Sequence, residues 1–259
     1  RLGTHMKRPT LLASGLATLV ACGAGQSPSS IPSQDSVTIE GAINDAGVAR
    51  RRRVITADTK TLVVNSPGGE IASAIALGSI VRERGLTVVV RGACLSACAH
   101  FVFAPATRRI VEPYAIIGFH GTATAREALL HASGRDDLAA EYAGLAGEEK
   151  HFYARAGLPA ALLLVPMRKV VPICYTTDVP PRSAIRSAFM TRMSFFIPSA
   201  GTLRGMGVAF EGWWPASQQD LAAAVAANPN LRPLSFRLED GPGAADAGAE
   251  RVPSCGAGR

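Results

Sequence analysis

The apolar positions of this chain switch repeatedly between a two-residue period and a roughly 3.6-residue period, which predicts strands alternating with helices. Residues 37–45 (VTIEGAIND) alternate as a first strand, and TLVVNS, residues 61–66, is a short apolar run ending at Pro67-Gly68-Gly69. A buried strand closed by a turn fits that run. EIASAIALGSIVRERG then repeats Ile71, Ala74, Ile75, Leu77, Gly78 and Val81 at helical spacing, with Gly85 as the stop signal. LTVVV, residues 86–90, predicts a second buried strand, SACAHFVFAPA a second helix with a small-residue face, and RRIVEPYAIIGFHG two further short strands ending at His120. Strands separated by helices predict the α/β class, with parallel pairing, right-handed crossovers and functional loops at the strand C-termini. A main domain is expected over residues 37–212, and a partly disordered tail over 213–259. That tail holds one short helix in FEGWWPASQQDLAAAVAANPNL and low-complexity sequence after about residue 237.

The N-terminal pattern differs. From Met6 the chain reads MKRPTLLASGLATLVACGAG: Lys7 and Arg8, then an apolar stretch from Leu11 to Val20, then small residues. This is a secretory signal pattern, too short for an ordinary membrane span. Its end, Leu19-Val20-Ala21-Cys22, matches a lipobox, so Cys22 is the expected lipidation site, and Arg1 to His5 read as an upstream remnant. An ordinary signal peptide cut nearby is the plainer alternative. Residues 23–36 read as a flexible Gly/Ser/Pro tether. The expected location is the periplasmic face of a bacterial cell envelope, with a membrane partner through the lipid anchor.

Composition narrows the function classes. The 259 residues are 47% hydrophobic and 18% charged, a globular balance. The net charge of +7 invites a nucleic-acid reading, but aromatic residues make up only 6% and the basic residues are scattered. The one cluster, Arg50 to Arg53, reads as a solvated loop, and no nucleic-acid partner is expected. The five cysteines are Cys22, Cys94, Cys98, Cys174 and Cys255. With Cys22 lipidated, four remain in a disulfide-permissive compartment, with three possible pairings. None has zinc spacing, so neither a metal nor a cofactor is expected.

Three motifs fall after three successive strands: NSPGG at 65–69, GACLSACA at 92–99 and GFHG at 118–121. They bring two glycines, Ser96 and His120 to one edge of a sheet. Acyl transfer needs a hydroxyl, a base for its proton, and backbone N–H donors for the oxyanion. Each residue also has a plainer reading. Ser96 could be a helix N-cap, His120 a structural histidine, SPGG a turn, and His100, His131 and His151 satisfied structural groups.

Together, the order NSPGG, CLSAC and GFH resembles the Clp protease proteolytic subunit, most closely the periplasmic Clp protease-like proteins of the crotonase superfamily. The resemblance spans residues 37–160 and continues more loosely to Val208. It implies a spiral of repeated ββα units, with Ser96 as nucleophile and His120 as general base. It also implies an oxyanion hole from the N–H groups of Gly69 and Ala97, and close substrate approach at Gly68 and Gly69. The implied substrate is a peptide or other acyl compound, with a homo-oligomer left open. One departure stands out: where the family carries its acid, this chain has Met193 or Ser194. Asp178 is the best substitute, with a turn aspartate as its plainer reading. The expected function is therefore an exported, lipid-anchored serine hydrolase, a peptidase. The alternative is a catalytically degenerate envelope lipoprotein that keeps the fold for binding or assembly. A serine–lysine dyad is disfavoured because Lys60, Lys150 and Lys169 lie in no matching motif, and an acyl-CoA enzyme because CoA is not expected outside the cytoplasm.

Overall fold

The computed structural model describes residues 35–132, 134–169 and 194–239. Strand β1 (Ser36–Glu40) leads into α1 (Asp45–Val54), β2 (Thr61–Ser66), α2 (Ile71–Glu83) and β3 (Thr87–Leu95). A π-helical turn (Ala99–Phe103) follows, then β4 (Arg108–Val111), β5 (Ile116–Gly118), and the helices α3 (Ala123–Ala132), α4 (Asp136–Ala156) and α5 (Ala161–Lys169). The remaining elements are β6 (Ser194–Ile197), α6 (Ala200–Gly205), β7 (Glu211–Gly212), α7 (Gln218–Ala227) and β8 (Ser235–Leu238). The class is α/β, with every ladder between these strands parallel.

The main sheet runs β1-β2-β3-β4-β7, with β5 added beside β3. Buried strands of a parallel sheet read as continuous apolar runs, and Leu62, Val63, Val64, Val88 and Val90 are all buried. Helix α2 covers the sheet with Ala74, Leu77, Gly78 and Val81, the period the sequence predicts. It ends as expected at Gly85, whose φ of 61° is left-handed. The Leu86 N–H donates to Val81 and the Gly85 N–H to Arg82, a paired closure that satisfies the last carbonyls.

Strand β3 places the site. Residues 87–90 pair with β4, whereas residues 93–95 pair with β5. Between the halves lies an irregularity at Arg91 and Gly92, where Gly92 has φ 80° and the register against β2 shifts. A Cβ at Gly92 would sit 2.8 Å from Asn65 Oδ1, which accepts instead from the Ala93 N–H at 3.1 Å. The Asn65 side chain thus replaces the lost ladder bond, and the bulge redirects the strand. A second core lies beyond it, where Leu95, Ile116, Phe195, Ile197, Leu221 and Leu238 pack together.

Three expectations need correction. The Arg50 to Arg53 run is not a loop: it closes α1, where positive charge faces the negative end of the helix dipole, although its side chains stay largely exposed. The expected second helix is brief, because after Ala97 and Cys98 the chain widens into the π-helical turn, with Ala104 N–H bonded to Ala99. Residues 213–238, expected as a partly disordered tail beyond the main domain, hold the expected short helix and also a strand. Strand β8 pairs with β6 from Ser194↔Ser235 to Ile197↔Leu238, and α7 buries Leu221 and Ala224. Helices α3 and α4 occupy residues for which the apolar pattern predicted no element.

Candidate active site

Each residue of the NSPGG motif except Pro67 has a structural task. Asn65 fills the β3 bulge, and the buried Ser66 Oγ accepts from the Gly68 N–H at 3.1 Å, tightening the turn. Gly68, at φ 95°, lies against the serine turn: a Cβ there would meet Ser96 Cβ and the Leu95 carbonyl at 2.6 Å, and the Ala97 nitrogen at 3.0 Å. Gly69 packs on Ile43, whose carbonyl would lie 2.1 Å from an added Cβ. Both glycines are required by close approach as well as by conformation.

Ser96 stands at the turn between β3 and the following helical residues, with φ 56°. A non-glycine residue in this left-handed region costs on the order of 1–3 kcal/mol and persists only where its surroundings hold it. Here the Ser96 N–H donates to the Gly118 carbonyl at 2.9 Å, and the Ser96 carbonyl accepts from the His100 N–H at 3.1 Å. A disulfide joins Cys94 to Cys98 around it, so of the pairings left open by the sequence this one forms. The N–H groups of Gly69 and Ala97 have no hydrogen-bond acceptor among the described residues. Ala97 begins a helical segment, where amide hydrogens lack an intrahelical acceptor.

His120 follows β5. Its neighbour Phe119 forms an antiparallel bridge with Phe196, with reciprocal bonds of 2.8 and 2.7 Å. The imidazole packs edge-on to Phe195, with centroids 5.2 Å apart, and its Nε2 lies 2.5 Å from Ser96 Oγ. Accepting the serine proton requires that Nε2 be unprotonated and Nδ1 carry the hydrogen. Burial, aided by the positive charge of Arg126, lowers the His120 pKa to about 4. Among the described residues no carboxylate is bonded to this ring.

A second histidine supports the first from beneath. His100 is buried, and its Nε2 lies 3.0 Å from the His120 carbonyl, which can only accept. Its hydrogen therefore sits on Nε2, and the single Tyr153 Oη proton is shared between the His100 carbonyl at 3.1 Å and Nδ1 at 3.3 Å. Burial foremost, with the charge of His120 second, lowers its pKa to about 3, so the ring is neutral. Four residues before Tyr153 on α4, the buried Glu149 carboxylate accepts from the Ala123 and Thr124 N–H groups at 2.9 and 2.7 Å. It also accepts from Thr124 Oγ1 at 2.6 Å. It thereby caps α3 just after His120, and desolvation raises its pKa despite these bonds.

Of the residues singled out by sequence, the structure brings Ser96, His120, Gly68 and Ala97 together, with Gly69 next in the same loop. Asp178 lies outside the described residues, as do Cys22, Cys174 and Cys255. No group of residues suited to a metal ion occurs among the described residues. The supporting roles of Asn65, His100, Glu149 and Tyr153 were not foreseen. Only Asn65 carried a signal, as the first residue of NSPGG; the others depend on contacts across 20 to 53 residues.

No protein-family model matches the chain, and no curated protein does. Among solved structures, a ClpP1 mutant from Listeria monocytogenes is similar over 48% of this chain and 72% of its own, at 20% identity and a TM-score of 0.35. That likeness is too loose to bear on the activity.

Proposed function

We propose that the chain is a serine hydrolase of the Clp protease-like type, acting on a peptide or other acyl substrate. The observation that carries this reading is the hydrogen bond from Ser96 Oγ to His120 Nε2, made by a serine held in a left-handed backbone. In the first step Oγ attacks the acyl carbon while Nε2 takes its proton. The N–H groups of Gly69 and Ala97 stabilise the oxyanion. His120 then returns the proton to the leaving group, and water repeats the sequence to free the enzyme.

The same proposal includes the finer fold, a Clp protease/crotonase-like spiral of repeated ββα units. It is supported by β3, which serves β4 with one half and β5 with the other. It also includes export and anchoring through lipidated Cys22, for which the support is the sequence pattern alone. Cys22→Ser is expected to release the protein from membranes, measured by fractionation; equal retention would refute the anchor.

A second reading, a non-catalytic envelope module, is favoured by one observation. His120 has a pKa lowered to about 4 and lies near Arg126 rather than a bonded carboxylate among the described residues. A triad lacking its acid loses roughly 10⁴-fold in turnover. Fluorophosphonate labelling of the full chain in detergent separates the readings. The hydrolase labels at Ser96, and labelling vanishes in Ser96→Ala and His120→Ala. A folded wild type that does not label belongs to the second reading.

A further inference from the structure

The Cys94–Cys98 disulfide takes no part in the chemistry above, yet Ser96 lies midway between its cysteines. Cys94 is fixed in the sheet, opposite Ser66 of β2 and Ile117 of β5. Cys98 belongs to the helical segment after the serine, and both cysteines are fully buried. The bond therefore ties the central strand to that segment across the residue whose backbone is left-handed. A bridge closing so short a loop restricts the unfolded chain less than one closing a long loop. Its distinctive effect is on the local angle between strand and helix.

We propose that the Cys94–Cys98 disulfide is a positioning element for Ser96, holding the serine hydroxyl on His120 and the Ala97 N–H beside it. Three other restraints act on the same turn: Gly68 packed beneath it, the Ser96 N–H bonded to Gly118, and the Ser96 carbonyl bonded to the His100 N–H. None crosses the turn covalently. Without the disulfide, Ser96 can relax to a negative φ, which swings Oγ away from Nε2 and rotates the neighbouring amide. Modest misplacement of a reacting group costs about a hundredfold in rate, so partial loss of the restraint is expected to cost at least about tenfold. The kinetic part of this inference rests on the nucleophile reading of Ser96; the geometric part does not.

The test compares the full chain in three forms: oxidised, reduced with a water-soluble phosphine, and as Cys94→Ala/Cys98→Ala. In the reduction, phosphorus attacks one sulfur and ends as phosphine oxide with oxygen from water. The S–S bond gains two electrons, and water supplies the two protons of the thiols. The double variant isolates this bond from the cysteines at 22, 174 and 255. Four quantities are measured: folding by circular dichroism, the inactivation rate constant and the binding constant for a fluorophosphonate, and the His120 titration by NMR.

The expected result is a folded protein whose inactivation rate constant falls about tenfold or more with its binding constant unchanged. In parallel, the His120 pKa should rise from about 4 towards its ordinary value as the ring gains solvent. Reoxidation should restore both. A folded variant with an unchanged rate constant and an unchanged titration would overturn the proposal, leaving the disulfide an ordinary staple. Unfolding of both the reduced protein and the variant would overturn it equally. An oxidised protein that never labels, but whose His120 titration shifts on reduction, would remove the nucleophile and keep the positioning.

Discussion

Two non-glycine residues in the described structure have a positive φ, Ser96 at 56° and Tyr114 at 62°, and their surroundings are opposite. Tyr114 sits in an open turn between β4 and β5, 52% exposed, closed by the Ala115 N–H on Glu112 and touching Trp213 with its ring. Ser96 is held by a disulfide, two backbone hydrogen bonds and a glycine in van der Waals contact. The same backbone conformation costs each of them about 1–3 kcal/mol. At Tyr114 the chain tolerates that cost to make a tight turn. At Ser96 several independent restraints converge on one residue, and the side chain so presented meets an imidazole.

Substitutions can break this contrast. The largest effect is expected from Gly68→Ala, because the new Cβ would lie 2.6 Å from a backbone carbonyl and from Ser96 Cβ. The serine turn must shift, and Ser96 labelling should fall about a hundredfold. Labelling within threefold of wild type would show that the turn does not depend on this contact.

Next comes His100→Phe, which leaves the His120 carbonyl without its buried donor and should cost about 2 kcal/mol at neutral pH by denaturant titration. The sign reverses in acid. His100 is held at a pKa of about 3, below its ordinary value, so the unfolded chain binds the proton first. Wild-type stability is then lost progressively from about pH 6.5 to about 3, reaching about 2 kcal/mol near pH 5. The phenylalanine variant escapes that loss, and the two stability curves should meet near that pH. Parallel curves would mean that His100 is not neutral in the fold.

A smaller effect bears on the histidine beside the serine. With a pKa of about 4, His120 remains a free base through the mildly acidic range. The labelling rate should be flat above about pH 5 and fall tenfold per unit below about pH 4. A carboxylate at Nδ1, Asp178 included, would raise the midpoint towards 6.5 or beyond, lowering the rate at pH 5.5 about tenfold relative to the plateau. The profile thus reports whether an acid orients the ring.

The smallest effect on stability tests the backbone comparison directly. Glycine at either position relieves the left-handed cost. Ser96→Gly should raise stability by about 1 kcal/mol while abolishing labelling, a conflict between stability and function. Tyr114→Gly should change stability by less than about 1 kcal/mol and leave labelling unchanged, since it also gives up the Trp213 contact. Equal stabilisation at both sites would erase the distinction between them.

Much of the frame was legible because local rules suffice for it. The apolar run at 61–66 is β2, the repeat from Ile71 is α2, and Gly85 stops it by adopting the conformation only glycine accepts cheaply. Helices α3 and α4 were not legible. Their small and polar residues carry a weak apolar stripe, and their stability comes from each other and from the buried Glu149 cap. The strand β8 was missed because its four residues resemble a polar tail until β6 lies beside them.

The sequence alone determined the α/β alternation, the order of the three strand-end motifs and the placing of Ser96 and His120 after neighbouring strands, since each is written in local periodicity and turn residues. Tertiary structure decided that Cys94 pairs with Cys98, that Asn65 fills the β3 bulge, that His100 supports His120, and that Ser96 Oγ meets Nε2 at 2.5 Å. The physical reason is range. Hydrophobic period and glycine conformation act over a few residues, whereas a hydrogen bond or disulfide between distant groups exists only once packing has set their separation.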